Sequence, residues 1–474
     1  MSTDATTRRT RKRTRRFRAF AVAFTAVAAI LAVVGLAGAT ANVVQGPRVT
    51  GVQVDPAAAA ASSGARLIVT TSQPLAEVDP SQVTITPATP FAVDTSGRSV
   101  GVRFTLPLWD DTEYKVVFAG VTGAGAGPAA TITETFRTPP AEVFLLQRSG
   151  GDDAIFRTDL TGEQARPVFR HPHIEDYRAT SSHLVMSVRT DDDEAQLIVT
   201  DLDGKNERTL KLPGEGFVSN LQTADRGELI GYTFSDEDLS HDGGRESTLF
   251  VASTNDSEAD AQPRAVEVAG ADARVSEYQF VPDSDSLLLL SFDGSLLLTS
   301  GADAAAAPTA LGFAFGIDGI ARGTSAAVVM RPEARAVIDL NDASEEPLVA
   351  AAGKGLITSV TPLTTGGTVR ASAELDGASG QPTGRTIVGF VGDDGATRPL
   401  MDVPNTDAVL QTCVSPSERY VAVLVAPDAV SNGYDTYLLP LPRKVETHIL
   451  NLSDGSEVVA LAGSSISWCQ VPPG

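Results

Sequence analysis

Residue types that carry chemistry are sparse in this 474-residue chain, which has two cysteines and five histidines. A serine hydrolase needs its nucleophile on a tight turn, with a His base and an acid beside it, and no such constellation is legible. The H-E-x-x-H, P-loop and EF-hand spacings are absent. Two cysteines and scattered histidines do not make a zinc centre, so no metal and no cofactor is expected. His171-Pro172-His173 reads as a loop between strands, and Asp191-Asp192-Asp193-Glu194 as a solvated hairpin tip. Asp236, Glu237, Asp238 and Asp242 share a polar insertion with His241. Clustered carboxylates hold Ca²⁺ elsewhere, but this spacing matches no calcium loop. No catalytic residue is therefore expected.

The insertion from Asp428 to Lys444 differs in kind. It places Tyr434, Tyr437, Leu438, Leu439 and Leu441 beside Pro440 and Pro442. Loop residues this apolar cover something: the protein's own surface, or a partner, since exposed aromatic patches mark interfaces. Those five are the candidate partner-binding residues, with packing onto the molecule itself as the alternative.

The chain must also place these residues in a compartment. Residues 1–18 carry eight basic residues against Asp4. A head of +7 within a net charge of −22 leaves −29 on the remainder. A body this acidic repels nucleic acid, whose protein partners meet phosphate with Lys and Arg. No charged residue falls between Arg18 and Arg48. The run over 19–44 is long enough for a membrane-spanning helix or signal anchor, given that roughly 20 apolar residues cross a bilayer. The basic head then lies in the cytoplasm, and the rest outside the cell. Ala39-Thr40-Ala41 fits a cleavage site, so release after Ala41 is the alternative to a tethered protein. Export permits oxidation, and Cys413 and Cys469 are then a disulfide candidate, with two free thiols as the other reading.

Beyond residue 45 the pattern is all-β. Ser81–Thr86, Ser99–Phe104 and Glu113–Phe118 alternate polar and apolar residues, and Pro, Gly and Asp clusters separate them. Several short strands in about 90 residues indicate a β-sandwich over 46–138. Pro47-Arg48-Val49-Thr50-Gly51-Val52, Thr71-Ser72-Gln73-Pro74-Leu75 and Thr135-Phe136-Arg137-Thr138 resemble the bacterial Ig-like domains. That resemblance implies a spacer or adhesive module without catalytic residues. Pro139-Pro140 reads as a boundary.

Over 141–474 one plan recurs: strand, tight turn, strand. Gln279–Ser284 leads into Leu287–Leu290, and Cys413–Glu418 into Tyr420–Leu424. A strand ending in a Gly turn follows, as in Leu197–Gly204, His448–Gly455 and Ile155–Gly162. Four-stranded units of this length are β-propeller blades. The Ser-Pro turn and the strand-Asp-Leu-x-x-Gly hairpin resemble the TolB-like and WD-repeat-like propellers. Inner strands fall near 177, 221, 279, 318, 359, 411 and 467, which makes seven. The last has no room for three more strands, and 142–169 supplies three that lack an inner one, so the two fragments share a blade. Cys413 and Cys469 each stand three residues before a proline, at equivalent places on neighbouring inner strands. A bridge there would fasten the closing strand.

These readings converge on a non-catalytic, membrane-anchored binding or scaffold protein, whose propeller presents a face to an envelope protein or glycan. The competing reading is a hydrolase or lyase acting on envelope polysaccharide or peptide through the central channel. For that, the inner strands offer Arg178, Gln222, Gln279, Gln411 and Cys413.

Overall fold

The structure is a computed structural model. It describes residues 24–25, 27–33 and 46–473, except 126, 149, 225–227, 241–243, 259, 269, 304–306 and 354. The expected membrane span over 19–44 is corrected. Helix is described there at 24–25 and 27–33, about 15 Å of length at 1.5 Å per residue. A bilayer core is ~30 Å thick. Among the described residues no helix is long and apolar enough to cross a membrane. The single-pass anchor and the cell-surface location that rested on it fall with this finding. The basic head at 1–18 and the cleavage point at Ala41 lie outside the described residues.

Contacts divide the chain into two compact units. One comprises Met1–Pro56, Gly64–Thr105 and Glu113–Arg137, the other Ala57–Ser63, Leu106–Thr112 and Thr138–Gly474. The first holds two antiparallel sheets. One orders its strands Val49–Gln53, Arg66–Thr71, Ser99–Phe104, Phe91–Ser96, and the other Val83–Thr86, Glu113–Val121, Ala130–Arg137. Alternation decides which side chains go inside. Leu67, Val69, Val100, Val102 and Phe104 are buried from one sheet, and Val83, Ile85, Tyr114, Val116 and Phe118 from the other. The Phe104 and Phe136 rings meet across them at 6.2 Å.

The second unit is a seven-bladed β-propeller. Six four-stranded sheets follow one another, each ordered spatially as in the chain. The first strands of these blades 1 to 6 are Ile174–Ala179, Gly216–Thr223, Val275–Phe280, Gly316–Ile320, Gly355–Pro362 and Ala408–Val414. Each contacts the first strand of the next blade, so they line the centre. Blade 7 has three strands, Glu142–Gln147, Asp153–Asp159 and Arg166–His171, and the C-terminal segment completes it. Leu146 and Ser464 exchange backbone hydrogen bonds of 3.0 and 2.9 Å, and the Ser467 amide donates to the Phe144 carbonyl at 3.0 Å. The ring thus closes without leaving blade 7 an open inner edge. Cys413 and Cys469 form a disulfide with their Cα atoms 5.6 Å apart, tying blade 6 to this closing segment. The segment is less regular than expected. Ser465 has φ +52°, which breaks the extended run before Ser467.

The Gly- and Ala-rich stretch over 312–400, where the repeat is blurred in sequence, holds blade 4 and all of blade 5 but the end of its last strand, Thr397–Val403. Inner strands approach closely there. A Cβ on Gly319 would lie 3.2 Å from Pro362 on the next inner strand, closer than ordinary contact. Buried aliphatic clusters fill the seams between blades. Val185, Leu197 and Val199 pack on Val218, Ile230 and Tyr232, and Leu249 and Val251 on Tyr278, Leu287 and Leu289. Each such buried side chain contributes about 1.5–3 kcal/mol.

Candidate binding face

In a four-stranded antiparallel blade, second-to-third strand turns and blade-to-blade links emerge at the same end of the ring. The remaining turns emerge at the other. The first end is called the link face below. The insertion Asp428–Lys444 joins Tyr420–Ala426 to Glu446–Asn451, the second and third strands of blade 6, and therefore stands on the link face.

This insertion is a built strap. Asn432 braces its base, its side-chain amide donating to the Lys444 carbonyl at 2.7 Å and its oxygen accepting from the Lys444 amide at 3.1 Å. The strap crosses to blades 7 and 1. Tyr437 donates its hydroxyl to Asp153 Oδ2 at 2.7 Å, and the same oxygen accepts from the Ile174 amide at 2.8 Å. Glu175, buried at the head of blade 1, accepts from the Leu438 and Leu439 amides at 3.1 and 3.2 Å. Its carboxylate also meets His173 Nε2 at 2.8 Å. Arg148 pairs with Asp435 at 2.8 Å and lies 4.1 Å from the centre of the Tyr437 ring. Burial, helped by the Asp153 hydrogen bond, pushes the Tyr437 hydroxyl well above its ordinary pKa, so it stays a donor.

The five candidate residues therefore divide. Leu441 is buried, and Tyr437 and Leu439 are half-buried. Tyr434 and Leu438 remain 59% and 46% exposed, beside a fully exposed Val430. Other large apolar side chains are exposed on the link face too. Leu239 stands in the second-to-third strand insertion of blade 2, Phe292 in that turn of blade 3, and Phe313 and Phe315 at the link to blade 4. Val349 lies in the link to blade 5, and Leu356 near the start of its inner strand. Each looks unremarkable in sequence, because only the up-and-down strand order brings them to one end of the ring.

The channel-lining residues are set by a shared irregularity. Every inner strand of blades 1 to 6 shifts register against its neighbour, at Ile174/Asp176, Ser219/Gln222, Val275/Glu277, Ile317/Gly319, Ile357/Ser359 and Val409/Gln411. Such bulges re-aim side chains. Arg178 is buried and pairs with Asp176 at 2.7 Å. Gln279 donates to the Ile317 carbonyl and Gln411 to the Val471 carbonyl, while Cys413 is bridged. Sequence reasoning missed Asp176, Glu277 and Asp318, each raised above the usual carboxylate pKa chiefly by burial. Asp176 Oδ2, Arg178 Nη2 and Gln222 Oε1 are buried without a hydrogen-bond partner. A partly open cleft at the channel is lined by Gln279, Asp318, Thr412, Trp468 and Gln470, among others.

Gly97-Arg98-Ser99-Val100-Gly101 has G-x-S-x-G spacing. Ser99 begins a strand after a hairpin turn and lies 3.2 Å from the Thr70 hydroxyl, with no helix following, so the hydrolase context is lacking. Asp191-Asp192-Asp193-Glu194 is an exposed hairpin tip. Asp193 pairs with Arg189 at 2.6 Å, and Asp236 grips Arg245. His241 and Asp242 lie outside the described residues. Among the described residues no group of three or more His, Cys, Asp or Glu could hold a metal ion.

Neither a protein-family model nor a curated protein sequence matches the chain. Solved propellers do. A β-propeller domain of Cps50 (Swd1) from Myceliophteria thermophila is 13% identical, covers 63% of this chain and 89% of its own, with a TM-score of 0.41. A putative TolB from Agrobacterium tumefaciens is 12% identical over 68% of this chain and 90% of its own, with a TM-score of 0.36. A prolyl endopeptidase is 11% identical over 79% of this chain and 50% of its own, with a TM-score of 0.46. At such values these likenesses carry no argument about activity, and the propeller assignment rests on the strand order.

Proposed function

We propose that this protein is a non-catalytic binding scaffold whose propeller receives a protein partner on its link face. The observation that supports the reading is the shared location of Leu239, Phe292, Phe313, Phe315, Val349, Leu356, Val430, Tyr434 and Leu438, all exposed at one end of the ring. Exposed apolar area concentrated in this way marks interaction sites. Phenyl and aliphatic side chains suit a protein surface better than a glycan. The first unit, Ig-like in its strand pattern, then serves as a spacer.

The test is quantitative co-purification of the tagged full chain from its source cells. Tyr434→Ala combined with Leu438→Ala should lose a discrete partner roughly tenfold. Val458→Ala, on the outer strand of blade 6, should not. Equal recovery from all three proteins would overturn the reading. A second reading, turnover of a small polar substrate in the channel, is favoured by the unpartnered buried atoms of Asp176, Arg178 and Gln222. Substrate consumption lost on Asp176→Asn in a folded protein would support it over the first.

A further inference from the structure

The link face has one region where exposed aromatic side chains are both clustered and held. Phe292, Phe313 and Phe315 are 53%, 46% and 59% exposed. They come from the second-to-third strand turn of blade 3 and the link to blade 4. Phe313 and Phe315 meet edge to face at 5.2 Å. The turn is fixed by backbone hydrogen bonds from Phe292 to Arg274, from Gly294 to Ser291 and from Ala314 to Gly294, at 2.9–3.0 Å. Gly294 has φ +83°, and a Cβ there would overlap the Phe313 ring. Glycine therefore lets Phe313 lie over the turn, which orients the ring before anything binds. Rings ordered in advance lose little entropy on association.

The charge around this patch is one-sided. Arg274 lies 5.0 Å from the centre of the Phe292 ring and is held by Asp272 at 2.7 Å and Glu246 at 3.1 Å. Arg331 donates to the Phe313 carbonyl and pairs with Glu345. Asp293, in the turn itself, accepts from the Ser291 hydroxyl at 2.5 Å and the Ser295 amide at 2.9 Å. The Ser291 hydrogen bond foremost holds its carboxyl well below the usual range, so it is ionised at neutral pH. Three carboxylates thus hold the two guanidinium groups, and a fourth, Asp293, is paired with neither.

We infer that the seam of blades 3 and 4 is the anchor point for a cationic, apolar-containing protein segment, its Lys or Arg side chains resting on the phenyl faces and rim carboxylates. This deepens the proposed function and rests on it. A cation over an aromatic face is attracted by the negative potential of the ring. The choice of occupant rests on charge complementarity. Outside its basic head at 1–18, a second copy of this chain carries −29 and would bring like charge to the rim.

The test uses the full chain and a capped, unstructured peptide with three lysines around one leucine and one phenylalanine. A counterpart carries Glu for each Lys. Calorimetric titration should show the Lys peptide binding at least roughly tenfold more tightly than the Glu peptide, more weakly as salt rises. Phe315→Ala, whose ring is mostly in solvent, should reduce binding roughly fivefold or more with the melting temperature unchanged. Asp293→Asn should narrow the preference for Lys over Glu. Equal binding of both peptides, full binding by Phe315→Ala, or self-association of the chain in sedimentation lost on Phe315→Ala would each overturn the inference. If the co-purified partner depends on Tyr434 and Leu438 but not on Phe315, only this inference fails. If nothing depends on any of them, the scaffold reading fails as well.

Discussion

At the scale of single residues, Glu175 and Tyr437 decide whether the strap stays down. Glu175→Ala leaves the Leu438 and Leu439 amides and His173 without their acceptor. The loss should be about 2–3 kcal/mol, since removing one partner exposes the desolvation cost of the others. Limited proteolysis should show new cleavage between 428 and 444, and an unchanged digest would contradict the assignment. Tyr437→Phe removes one hydrogen bond to Asp153 and should cost about 1 kcal/mol in denaturant unfolding. Tyr434→Ala should cost less than about 0.5 kcal/mol, because its ring is mostly in solvent. Sequence alone marked the insertion as apolar and carried both outcomes for it. It could not divide the residues, because the division depends on Glu175, Asp153 and Arg148, which lie more than 250 positions away. Missing Asp176, Glu277 and Asp318 has a similar cause. A lone acid within a strand pattern looks solvated until the bulge turns it inward.

At the scale of elements, the hairpin chemistry was legible because it is local. Asp159 accepts from the Thr161 and Gly162 amides, and Gly162 has φ +74°, as a hairpin turn ending in Gly implies. Gly204 carries a further demand. It has φ +73°, and a Cβ would overlap the Val168 carbonyl of blade 7. Gly204→Ala should therefore destabilise by about 3 kcal/mol, through strain and the shift forced on the neighbouring blade. A loss under 1 kcal/mol in urea unfolding would show that the contact yields freely. The closing blade was also legible, since counting strands left three without an inner partner. The Cys413–Cys469 bridge closes a loop with a sequence separation of 56. Replacing both cysteines by serine should cost about 4 kcal/mol on the chain-entropy account. The span expected over 19–44 is the element that is corrected, since no helix among the described residues is long and apolar enough to cross a membrane.

At the scale of the whole molecule, two groups of carboxylates give stability an asymmetric dependence on pH. Asp272, Asp293, Asp342 and Asp454 are held below the usual range, chiefly by side-chain hydrogen bonds to Arg274, Ser291, Ser344 and Ser456. Their contribution is present above the unfolded pKa near 3.8 and is lost as pH falls through the lower folded values. Asp176, Glu277 and Asp318 are raised by burial, so the folded state binds their protons more tightly. As pH falls from neutral through those raised values, they add stability until the unfolded pKa is reached. The melting temperature should hold or rise as pH falls from neutral toward the unfolded carboxylate range, and fall once pH drops below it. A steady decline from pH 7 would contradict this balance.

Association through the link face is tested most directly by photo-crosslinking from chosen positions in the full chain, expressed in its source cells. A photoreactive residue placed in turn at Tyr434, Phe315 and Leu239 should capture one and the same protein. Placed at Ser453, in a turn at the opposite end of the ring, or at Val458 on an outer strand, it should capture none. Capture from Ser453 or Val458 in place of the link-face positions, or from no position, would contradict the account.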